Sequence, residues 1–68
     1  MNPDAVRTAL DELAGYAPTA ARVLDRHFQG RGGTTAAECA TMLDTPAARH
    51  ISPQAMATLR AALAGSTR

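Results

Sequence analysis

The sequence has no lysine and no tryptophan, and only one cysteine, one phenylalanine, one tyrosine and one isoleucine. Each scarcity excludes something. A single thiol, Cys39, cannot form an internal disulfide, so the chain must fold on packing alone, which suits a reducing cytoplasm. Valine occurs only at 6 and 23. No stretch alternates apolar and polar residues with period two, so no strand is expected. No apolar run approaches the roughly 20 residues that span a bilayer, which argues against a membrane protein. No secretory leader is visible after Met1, where Asn2, Pro3, Asp4 and Arg7 stand instead of an apolar run. Charge of one sign is also missing: seven basic and six acidic residues give a net charge of +1. That balance does not suit a strong electrostatic nucleic-acid binder, which needs a basic patch to displace counterions.

What the chain does have is alanine, 16 of its 68 residues. The length implies one domain, residues 1–68, that buries only about 60% of the surface its unfolded form exposes. The large apolar set is short, with Leu10, Leu13, Val23, Leu24, Phe28, Leu43, Leu59 and Leu63 as its main members. A core of this size does not support a multidomain enzyme or a deep private active site.

Helix punctuation is dense. Asn2-Pro3-Asp4 reads as a cap, a first-turn proline and a dipole-complementing acid. Val6, Leu10 and Leu13 then repeat at helical spacing, and Gly15 and Pro18 end that helix near residue 15. Pro18 opens a second helix with Ala20, Val23, Leu24, His27 and Phe28 on one face, stopped by Gly30. Thr35 and Glu38 form a capping box, in which the Glu side chain reaches back to the Thr amide. Ala36, Cys39, Ala40, Met42 and Leu43 are the buried face of a third helix ending near Asp44. Thr45-Pro46 caps one further turn, about 47–50, and Ser52-Pro53 opens the last helix. Met56, Leu59 and Leu63 run along it, and Gly65 stops it. The fold expected is all-α: a small bundle of four main helices with an additional short helical turn.

Two motifs resemble known families. Thr34-Thr35-Ala36-Ala37-Glu38-Cys39-Ala40-Thr41-Met42-Leu43 followed by Ser52-Pro53-Gln54-Ala55-Met56-Ala57-Thr58-Leu59 resembles the scaffold and recognition helices of a tri-helical helix-turn-helix domain, over residues 19–64. The resemblance implies DNA binding, with Arg31, Arg49 and Arg60 on phosphates and Gln54 at a base edge. The connection from 44 to 52 exceeds the family's turn of about 3–4 residues. Gly30-Arg31-Gly32-Gly33 resembles the loop of a helix-hairpin-helix, but Arg31 stands where that family has an apolar residue. An EF-hand register ending on Glu38 would place Arg31 among the ligands, which repels calcium.

Cys39, His27 and His50 are the only soft ligands and share no metal-binding spacing, so no metal, cofactor or catalytic residue is assigned. Cys39 reads as a small core residue, and His27 as a boundary residue near a helix end. Tyr16, Met42, Ile51 and Met56 are candidate rim residues of an interaction face, because alanine-rich helices bury little each. The expectation is therefore a non-enzymatic docking or adaptor module that binds a protein partner, or itself as a homodimer, through a helical face. The alternative is a helix-turn-helix module that binds nucleic acid.

Overall fold

A computed structural model of the chain describes residues 3–66. Four α-helices, α1 Pro3–Tyr16, α2 Pro18–Phe28, α3 Ala36–Leu43 and α4 Pro53–Ser66, account for most of it, with a single 3₁₀ turn at Ala48–His50. The described residues contain no strand. The helices close a ring in chain order: α1 packs on α2, α2 on α3, α3 on α4, and α4 back on α1, which is the broadest contact. The shortest dimension, 15 Å, leaves room for two helix layers and no more.

The helix boundaries follow from local chemistry. Pro18 disfavours helical geometry at the residue before it. Ala17 accordingly leaves the helix, with φ −140° and ψ 76°, and α1 ends at Tyr16 with Gly15 still inside it. The far end of α2 is a Schellman motif. Gly30 takes φ +75°, which lets its N–H reach the His27 carbonyl at 3.0 Å and the Arg31 N–H reach the Arg26 carbonyl at 2.8 Å. Gly32 and Gly33 also have positive φ, so the loop reverses sharply toward α3.

Thr35 caps α3: its Oγ1 accepts from the Glu38 N–H at 3.1 Å. The Glu38 carboxylate accepts from the Thr35 hydroxyl at 3.2 Å rather than reaching the Thr35 amide. The connection after α3 folds inward at the 3₁₀ turn, which buries Ala48 completely and Ile51 to 6% exposure. Ile51, expected on the rim, is therefore core. Two further expectations meet different outcomes. Gly65 does not stop α4, which continues to Ser66. The Asn2 cap lies outside the described residues.

The core is leucine-rich. Leu13, Leu24, Leu43, Leu59 and Cys39 are fully buried, one or two from each helix. Val6, Val23, Phe28, Met42 and Met56 pack against them from the boundary. No polar or charged side chain is buried among the described residues, so the interior carries no orphaned polar group to explain.

Candidate functional site

Side-chain size decides where the ring of helices leaves a gap. Near the start of α1 and the ends of α2 and α4, the residues that α4 contributes are Ala62 and Gly65, three apart on one face. Neither has bulk enough to fill the space between Val6 and Leu10 of α1 and Phe28 of α2. A groove of about 370 Å³ results, at the small end of ligand-sized pockets, roughly 300–1,000 Å³. Leu10 and Ala62 are almost fully buried beneath it, at 3% and 1% exposure, while Val6 and Phe28 are half-buried.

The polar part of the lining is fixed by bonds. The Arg7 Nη2 donates to the Asp25 Oδ1 at 3.1 Å, tying α1 to α2 beside the groove. The His27 Nδ1 lies 2.7 Å from the Thr34 carbonyl oxygen. A carbonyl only accepts, so Nδ1 carries the proton of this bond. The imidazole also meets the Phe28 ring edge-on, with centroids 5.8 Å apart. His27 thus sets both a groove wall and the course of the glycine loop. Among the described residues, the groove lining includes Arg7, Asp25 and His27 but no hydroxyl, thiol or amine nucleophile.

The sequence-derived interface residues lie elsewhere, and none of them lines this groove. Tyr16 is the exposed large apolar side chain of the described residues, at 51%, and its ring stacks on His50 with centroids 5.5 Å apart. Met42 and Met56 pack half-buried against the core, and Ile51 is within it.

The residues proposed for DNA come from three elements, the glycine loop, the 3₁₀ turn and α4. Arg31 is exposed in the glycine loop and Arg49 in the 3₁₀ turn. Arg60 donates to the Asp44 carboxylate at 2.7 Å. Gln54 and Arg60, six positions apart, point about 120° from each other around α4. Gln54 also borders a second cleft, between α1 and α4, with the carboxylates of Asp4 and Glu12. Those charges oppose a phosphate backbone.

Sequence reading missed one link. The Glu12 carboxylate of α1 accepts from the Ser52 N–H and from the Ser52 hydroxyl at 3.1 Å. Ser52 in turn caps α4, its Oγ accepting from the Ala55 N–H at 3.2 Å. The partners are 40 residues apart, so no spacing signal could have paired them.

Cys39 is fully buried. Burial, with the neighbouring Glu38 charge second, pushes its thiol above the ordinary value and holds it protonated. No group of three or more His, Cys, Asp or Glu among the described residues is arranged to hold a metal ion. No helix there is long and apolar enough to cross a membrane. Comparison with protein-family models, with curated proteins and with solved structures gives no match.

Proposed function

We propose that this chain is a non-enzymatic docking module that takes a short apolar segment of a protein partner into the groove between α1, α2 and α4. The observation that carries this reading is the groove itself, with Val6, Leu10, Phe28 and Ala62 around a space of about 370 Å³. Its charged rim group is already neutralised by the Arg7–Asp25 pair. An apolar occupant therefore gains burial without having to satisfy a charge. A second copy is a poorer fit than a partner's segment. A two-fold dimer sets the same surface against itself, and two concave grooves facing each other leave a void that forfeits packing. The buried, unpaired Cys39 fits a cytoplasmic setting.

Peptide selection from a displayed random library, with the folded protein as bait, tests the proposal. The expected result is a set of peptides sharing two or three large apolar residues. Their binding should fall at least tenfold in Val6→Glu, remain in Tyr16→Ser, and change little between about 50 and 200 mM salt. Circular dichroism confirms that both variants fold. Peptides indifferent to Val6→Glu, or no selected peptides, would overturn the groove as the site. A duplex-DNA titration belongs beside it. Micromolar binding at low salt that collapses at the higher salt, and is lost in Arg60→Ala and Gln54→Ala, would favour the helix-turn-helix reading instead.

A further inference from the structure

We draw no further inference here: the strongest candidate, the polar cleft between α1 and α4 walled by Asp4, Glu12, Ser52 and Gln54, is an acidic cluster whose Glu12 is already bonded to Ser52, and nothing in the structure points to a ligand for it.

Discussion

The starts of α3 and α4 present the same chemical need and meet it from different distances. Each helix begins with backbone N–H groups that have no partner inside the helix. At α3 the whole answer lies within four residues, in an exposed turn: Thr35 Oγ1 accepts from the Glu38 N–H, and Glu38 accepts from the Thr35 hydroxyl. At α4 the cap is Ser52, but Ser52 is itself held by Glu12 from another helix, in a half-buried position. The local cap works wherever its own segment forms. The second works only once α1 has docked on α4. The first should therefore govern one helix end, and the second the cooperativity of the whole bundle.

The harshest way to break that contrast removes packing at the α1 side and leaves the polar link in place. Leu13 follows Glu12 and is fully buried. Leu13→Ala should cost about 2–5 kcal/mol, through lost burial and the cavity left behind. A chain of this length has roughly 3–10 kcal/mol of total stability, so urea melts should show a midpoint lowered by a large fraction of the wild-type value. A shift below about 1 kcal/mol would mean that α1 docks mainly through Glu12.

A sharper probe is the polar link alone. Glu12→Ala leaves the part-buried Ser52 N–H without its acceptor and should cost about 1–3 kcal/mol. In a double-mutant cycle with Ser52→Ala, the two changes should couple by at least about 0.5 kcal/mol, as contacting residues do. Strict additivity would erase the distinction between the two caps.

At the other helix start, Thr35→Ala should cost about 0.5–2 kcal/mol, the usual range for a lost cap. Thr34→Ala should leave the urea midpoint nearly unchanged. Hydrogen exchange should show the Thr35→Ala effect at the Glu38 amide and not at Ala55. Loss of protection at Ala55 as well would mean that the two starts are not independent.

The thiol gives a smaller, pH-dependent signal from the core beside α3. The native thiol of Cys39 is held above its ordinary value, so folding favours the protonated form. Its contribution to stability is complete below the unfolded thiol value, about 8.5, and is lost as pH rises through the raised native value. Cys39→Ala should flatten the alkaline limb of the stability profile. In the wild type, a thiol reagent should label Cys39 slowly near neutral pH and quickly in denaturant. Fast native labelling would contradict its buried place. The smallest effect belongs to the Arg60–Asp44 pair, whose side chains are 45% and 58% exposed. Arg60→Ala should change stability by less than about 1 kcal/mol, and added salt should remove that difference.

The features that could be read from the chain are those whose causes are short-range. Pro18 displaces Ala17 from helical geometry one residue away. Gly30 ends α2 because its own N–H reaches back only three residues, to His27, and the next N–H, of Arg31, only five, to Arg26. Thr35 and Glu38 find each other within one turn. Even there, contact geometry refined the outcome, since the Glu38 carboxylate meets the Thr35 hydroxyl and not its amide. Gly65 does not stop α4 because a glycine inside a helix costs only about 1 kcal/mol relative to alanine. Packing of Ala62 and Leu63 in the same turn, both buried, is enough to carry the helix past it.

By itself, then, the sequence determined that this protein is helical, where three of its helices begin, where α2 ends, and that Cys39 has no second cysteine within these 68 residues to pair with. Those are consequences of backbone restriction, hydrogen bonds within a turn and composition. Tertiary structure alone decided that Ile51 turns inward, that Glu12 holds Ser52, that Asp44 engages Arg60, and that a groove stays open beside Ala62 and Gly65. Each of these depends on how helices distant in sequence are oriented against one another. A groove in particular is the volume that side chains from three such helices fail to fill, and no single segment encodes it.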